Sequence, residues 1–223
     1  MEKKLWNILR RVLSIVLNLA IVYMEPIAAR LSWEAVGVQM FSFYTENSNF
    51  FTALVCLLMA VFQLRALLTG REVPRWVKRL KYIATCCLTM TFLTVVFILA
   101  PYYKDEGGVV FLLTASSMLY HHLLNPLCAF VSFVFLEREP RLSGKNVFCA
   151  LIPTLLYGSI AVWANVQHLI VGPYPFLRIY EQTIQQSLEW LVAIVCLNLF
   201  YAWLVWKAGG GHKKHHLGLE FRR

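Results

Sequence analysis

Charge is scarce in this chain. Asp, Glu, Lys and Arg make up 15% of its 223 residues, where a soluble domain carries about 25%. So few charged groups cannot coat an ordinary globular surface in water, and 59% hydrophobic residues exclude a disordered chain. Soluble-enzyme signatures are also missing. The sequence holds no G-x-S-x-G, Walker, H-E-x-x-H or C-x-x-C motif, which removes the usual hydrolase, NTPase and zinc readings. No repeat of 20–50 residues is visible, which excludes a solenoid or propeller. The six cysteines all fall inside apolar runs. There Cys acts as a small hydrophobe, so no disulfide framework is expected.

What the chain does have is long apolar runs, at 11–30, 45–68, 80–101, 112–136, 146–165 and 183–206. A helix of about 20 apolar residues crosses a bilayer. The pattern predicts an all-α polytopic membrane protein, with six transmembrane helices in one bundle over 1–206 and a disordered basic cytoplasmic tail over 207–223. The first run resembles a signal peptide. It continues through Met24 without a small-x-small cleavage site, so it reads as a retained helix that Pro26 kinks or ends.

Basic residues set the expected orientation. Lys3, Lys4, Arg10 and Arg11 precede the first run. Arg65, Arg71, Arg75, Lys78, Arg79 and Lys81 lie between the second and third. Arg138, Arg141 and Lys145 follow the fourth, and Lys207, Lys213, Lys214, Arg222 and Arg223 follow the sixth. The other side holds only Arg30, Lys104 and Arg178. Eighteen against three puts both termini in the cytoplasm of a cell whose plasma membrane the chain spans. In this setting the net charge of +9 speaks for topology rather than nucleic acid. His212, His215 and His216 in the tail suit an anionic lipid surface better than a metal.

Polar side chains at membrane depth mark function, because each is costly there. The fourth run carries Thr114, Ser117, His121, Asn125, Cys128 and Ser132 at intervals of three and four, one face of a helix. His122 stands about 100° off that face. Adjacent positions diverge, so His121 and His122 do not pair as metal or haem ligands. The second run opens Tyr44-Thr45-Glu46-Asn47-Ser48-Asn49, with Thr45, Ser48, Asn49 and Thr52 on one side. Helix capping explains Ser48 and Asn49 equally well. The sixth shows Gln182, Gln185, Gln186, Glu189, Ala193 and Cys196 along one side, and the first offers Ser14, Asn18 and Glu25. The three outward-starting runs place Thr45, His121 and Glu189 within one outer-leaflet cavity. A hydroxyl, an imidazole base and an orienting carboxylate are the groups acyl transfer uses. Helix packing is the competing explanation of the same stripes.

Six spans, Phe43-Tyr44-Thr45 opening the second, His121 five residues before Pro126, and Tyr174-Pro175-Phe176-Leu177 before the last helix resemble the androgen-induced protein family, which includes the androgen-dependent TFPI-regulating protein and bacterial relatives. The ordered landmarks extend over roughly residues 10–206. Thr45-x-x-Ser48-Asn49 looks like the bacterial branch. The resemblance implies a multi-pass membrane threonine hydrolase that cleaves fatty acid esters of hydroxy fatty acids, with Thr45 as the threonine and His121 as the histidine.

The combined expectation is an intramembrane lipid-ester hydrolase with Thr45 as nucleophile and His121 as base. Glu189 or His122 would orient the base, and Asn49 and Asn125 would be oxyanion donors. Membrane lipids or lipid esters are the expected substrates, with no metal, cofactor or nucleic acid. An acyltransferase with the same residues and a non-enzymatic lipid or small-molecule transporter or binding protein are the rivals. Trp163, Tyr174 and Phe176 read equally well as an interfacial aromatic belt. Topology is directly testable. Reporter fusions after Arg75 and Lys145 should read inside and a fusion after Asp105 outside; an odd number of crossings would overturn the charge argument.

Overall fold

A computed structural model describes residues 2–138 and 141–211. Six helical stretches are long and apolar enough to cross a membrane: Lys4–Ser42, Tyr44–Thr69, Arg75–Glu106, Leu119–Leu136, Asn146–Val166 and Ile184–Ala208. No strand occurs among the described residues. The chain is therefore an all-α polytopic bundle. The histidine-containing part of the tail lies outside the described residues.

The first helix, α1 (Glu2–Val36), continues past Pro26, which does not end it. Membrane helices tolerate proline when neighbouring groups satisfy the freed carbonyl. A single 3-10 turn, Gly37–Ser42, leads to α2 (Tyr44–Thr69). Gly70 closes α2 in the left-handed conformation, its N–H bonded to the Ala66 carbonyl; a side chain there would be strained. The third span starts as α3 (Arg75–Thr94) behind Pro74 and continues through a π turn, Val95–Leu99.

The fourth span departs from the expected single helix. A short α4 (Gly108–Thr114) stops where Ala115 is extended (φ −78°, ψ 123°). Ser116 then takes φ +48°. The chain resumes as a π turn at Leu119–Leu124, α5 (Asn125–Val131) and a second π turn at Ser132–Leu136. Two short helices, α6 (Asn146–Cys149) and α7 (Leu151–Val166), form the fifth span, and α8 (Ile184–Ala208) the sixth. A Thr183–Gln186 capping box starts α8.

Side-chain bonds fix which helix ends lie together. At one end Arg11 pairs with Glu72 at 2.8 Å, Tyr82 donates to the Ala202 carbonyl, and Trp206 donates to the Leu142 carbonyl. At the other end Ser32 donates to Glu46, Tyr44 meets Thr154, and Thr45 meets Tyr174. The third span is the hub: 67% of its apolar stretch is buried, against 17% for Asn146–Val166. Outward-facing Leu54 and Leu68, 69% and 77% exposed, suit a hydrocarbon solvent.

At the waist, Ile21, Cys56, Leu88 and Ala129 pack together with no exposure at all. A polar cluster lies on each side of this apolar layer. Toward the termini, Glu137 accepts from Ser14 at 2.7 Å and Asn18 at 2.6 Å, while Lys81 donates to Asn18 and to the Cys56 sulfur. The Lys78 ammonium sits 4.7 Å over the Phe133 ring. Lys78 and Lys81 were expected in a basic loop; they lie inside the bundle, at most 1% exposed, because α3 already begins at Arg75. Removing one member of a buried charge cluster strands the others, typically at about 3–5 kcal/mol. Glu137→Ala should therefore sharply lower the thermal unfolding midpoint in detergent, and Glu137→Gln less so. An unchanged midpoint for the alanine variant would show that the cluster does not stabilise the fold.

Candidate active site

The far polar cluster begins at the first turn of α2. Its leading N–H groups have no intrahelical partner, so a helix start at membrane depth must find other acceptors. Thr45 solves this through the loop that leads into α8: its N–H donates to the Tyr174 hydroxyl at 3.3 Å, and its own hydroxyl lies 3.4 Å from the same oxygen. Thr45 is 8% exposed and Tyr174 is 9% exposed.

A second partner of the Thr45 hydroxyl is His122, with Oγ1 3.4 Å from Nε2. His122 Nδ1 lies 2.6 Å from the Leu112 carbonyl oxygen. A carbonyl only accepts, so Nδ1 carries the proton and Nε2 presents a lone pair to Thr45. Leu112 sits in the last turn of α4, where carbonyls lack a helical partner. The break at Ala115–Ser117 lays α4 beside the π turn and lets His122 reach that carbonyl.

His121 points elsewhere. Its Nε2 lies 3.4 Å from Glu25 Oε1, and its Nδ1 lies 4.0 Å from Glu46 Oε1. The imidazole thus stands between two carboxylates from α1 and α2. The structure brings Thr45 to His122, whereas the sequence reading paired it with His121. Two features of the fourth span account for the difference. The helix break removes Thr114 from the stripe, leaving it exposed and bonded to the Val110 carbonyl. The π turn, common at functional sites, then leaves both histidines buried, each aimed at a different neighbour. His121, Asn125 and Ser132 keep the stripe's inward side.

Both asparagines are committed to structure. Asn49 donates to the Thr45 and His121 carbonyls, and Asn125 donates to Glu25 and to Asn49. An amide has two N–H donors, so neither retains one for an oxyanion. Their bonds tie α2 to the fourth span and set the register of Thr45 against His122. Glu189 is not in the cluster. It is exposed on α8 and accepts from Gln185 at 2.9 Å. The buried side of α8 is Asn198, Tyr201, Ala202 and Val205, so the glutamine side faces outward.

Tyr174 is the residue the sequence undervalued, since a tyrosine among aromatics reads as an interfacial belt. Its signal was the flanking Pro173 and Pro175, which keep the segment extended. Its ring stacks on Phe176 at 5.2 Å and meets Phe43 edge-on at 6.0 Å. Gly172 permits the loop to close: a Cβ there would come 2.3 Å from the Leu177 carbonyl oxygen. Burial pushes the Tyr174 phenol above its ordinary pKa, so it keeps its proton and can donate. Around Thr45 the chain thus assembles a hydroxyl, an imidazole lone pair and a phenol. Among the described residues no His, Cys, Asp or Glu group is arranged to hold a metal.

Comparisons with protein-family models, curated proteins and solved structures return no match. The tautomer is open to direct measurement. Solid-state 15N spectra of histidine-labelled protein should show His122 protonated at Nδ1 and bare at Nε2 near neutral pH. A bare Nδ1 would contradict the Leu112 bond.

Proposed function

We propose that this chain is an integral-membrane hydrolase of lipid esters, with Thr45 as nucleophile, His122 as general base and Tyr174 as oxyanion donor. The observation that carries this reading is the Thr45–His122 approach with the far ring nitrogen held by Leu112. A base within hydrogen-bond reach of a hydroxyl is the first requirement of nucleophilic catalysis, and such bonds are often long before substrate binds.

Thr45 Oγ attacks the ester carbonyl while its proton passes to His122 Nε2. The Tyr174 phenol donates to the oxygen that becomes negative. Collapse breaks the acyl–oxygen bond, and the alcohol leaves with the proton from His122. Water then attacks the acyl-Thr45 ester, gives its proton to His122 and releases the acid, restoring the threonine hydroxyl. The imidazolium is stabilised by the Leu112 carbonyl in the position a carboxylate takes in the serine triad. Lipid substrates follow from the site's depth in a bundle with an apolar exterior. The basic-residue asymmetry supports a plasma-membrane protein with cytoplasmic termini and the site in the outer half.

A transporter or binding role is the second reading, favoured by one feature: Glu25, His121 and Glu46 are ionisable groups buried together at membrane depth. Mutant kinetics separate the two. Thr45→Ala and His122→Ala should each cut ester turnover by about 10³-fold or more, and the double variant should be scarcely worse, because groups acting as a unit are non-additive. Tyr174→Phe should lower kcat about 10²-fold, the loss expected for one oxyanion donor. His121→Ala should act mainly on stability. Free fatty acid release in liposomes reads the turnover losses and thermal unfolding reads His121→Ala; release that does not depend on Thr45 would favour the transporter.

A further inference from the structure

One side of Thr45 borders open space. A crevice of about 80 Å³ runs between the third span, the loop before α8 and α8 itself, with Thr45 and Tyr174 on its wall beside Met90, Leu99 and Ile194. A water molecule's share of the liquid is about 30 Å³, so this space matches two or three waters or an acyl group of about two to four carbons. A much larger groove, about 1580 Å³, lies along α2 and α7. Tyr44 and Tyr157 line both spaces, and their rings meet edge-on at 5.2 Å. Each is pinned: Tyr44 bonds to Thr154, and Tyr157 donates to the Ser42 carbonyl at 2.7 Å. This pair stands between the groove and the crevice.

A second observation lies beside the same crevice. Thr94 lines it, and its hydroxyl oxygen is buried with no hydrogen-bond partner. Helix register puts it at the level of Thr45. Ser48 on α2 meets Thr91 on α3 at 3.3 Å. These helices run antiparallel, so three residues back on α2 and three onward on α3, about 4.5 Å each, lead to Thr45 and Thr94. A buried hydroxyl without a partner is rare in folded proteins, and a turn about its χ1 bond would bring it to a polar atom of a molecule in the crevice.

We propose that this crevice is the acyl-binding site, that it admits short acyl groups of about two to four carbons, and that the Thr94 hydroxyl donates to the ester carbonyl beside Tyr174. The proposal rests on the acyl-transfer reading of Thr45 and narrows its substrates to short-chain acyl esters. The chemistry is the one already balanced: ester and water give a short carboxylic acid and an alcohol, with Thr45 regenerated.

The test is a series of 4-nitrophenyl esters from acetate to palmitate, presented to the purified full chain in detergent, with Thr45→Ala as the blank. Thr45-dependent kcat/KM should peak at acetate to butyrate and fall about tenfold or more by octanoate, since a tail the crevice cannot seat loses at least the roughly 10-fold that one misfitted methylene costs. Leu99→Ala and Ile194→Ala enlarge the crevice from two sides; at least one should move the optimum toward hexanoate or octanoate. Thr94→Val keeps the volume and removes the hydroxyl; kcat should drop about tenfold, within the range of one hydrogen-bond donor, with the chain-length optimum unchanged. A Thr45-dependent profile that is flat or peaks at laurate or longer, or an optimum that neither alanine variant moves, overturns the short-acyl site and leaves the hydrolase standing. Unchanged kcat in Thr94→Val removes the hydroxyl from the proposal. If no ester shows Thr45-dependent turnover, the hydrolase reading falls, and this inference with it.

Discussion

The bond from His122 Nδ1 to the Leu112 carbonyl holds the site together. It is possible only because the fourth span breaks at Ala115–Ser117, which brings two residues ten positions apart to 2.6 Å. Both groups are buried inside the bundle, away from water, and a buried polar group left unpaired costs about 1–3 kcal/mol. One contact therefore satisfies the orphan carbonyl of α4, selects the imidazole tautomer and aims Nε2 at Thr45. Without it the histidine is a buried ring with no defined donor or acceptor.

Other bonds make the aim reproducible. Asn49 spends one amide hydrogen on the Thr45 carbonyl within α2 and one on the fourth span, and Asn125 spends both on α1 and α2. The loop before α8, closed over Gly172, delivers the Tyr174 phenol to both the N–H and the hydroxyl of Thr45. The waist of Ile21, Cys56, Leu88 and Ala129 separates this assembly from the Lys81–Asn18–Glu137 cluster. Polar groups in such a bundle gather into islands away from the apolar exterior, and the island containing Thr45 borders a crevice.

Much of this was legible in the residues. Apolar run length gave six spans, and a polar opening to the second run singled out Thr45. Asn49, Asn125 and His121 were correctly placed in the interior by three-and-four spacing. What failed did so for a common reason: periodicity assumes an unbroken 3.6-residue helix. The break and the π turns of the fourth span invalidate that assumption, so the stripe led to His121 while the neighbour of Thr45 is His122. Glu189 misled differently. It lies close to the start of α8, where outward-facing polar residues can meet water, and hydropathy alone does not tell a helix's wet first turns from its buried middle. Lys78 and Lys81 looked like loop charges because sequence does not show that the Phe133 ring awaits the one and Asn18 the other. Tyr174 required a loop closure that no local pattern encodes.

The central claim is that the Thr45 hydroxyl is an activated nucleophile. Reaction of the purified protein with a fluorophosphonate probe, followed by peptide mass spectrometry, tests it most directly. The account predicts a single phosphonyl adduct on Thr45, lost when His122 is replaced by alanine and retained when Glu189 is replaced by glutamine. A protein that stays unlabelled, or labelling that persists at full rate without His122, would contradict it.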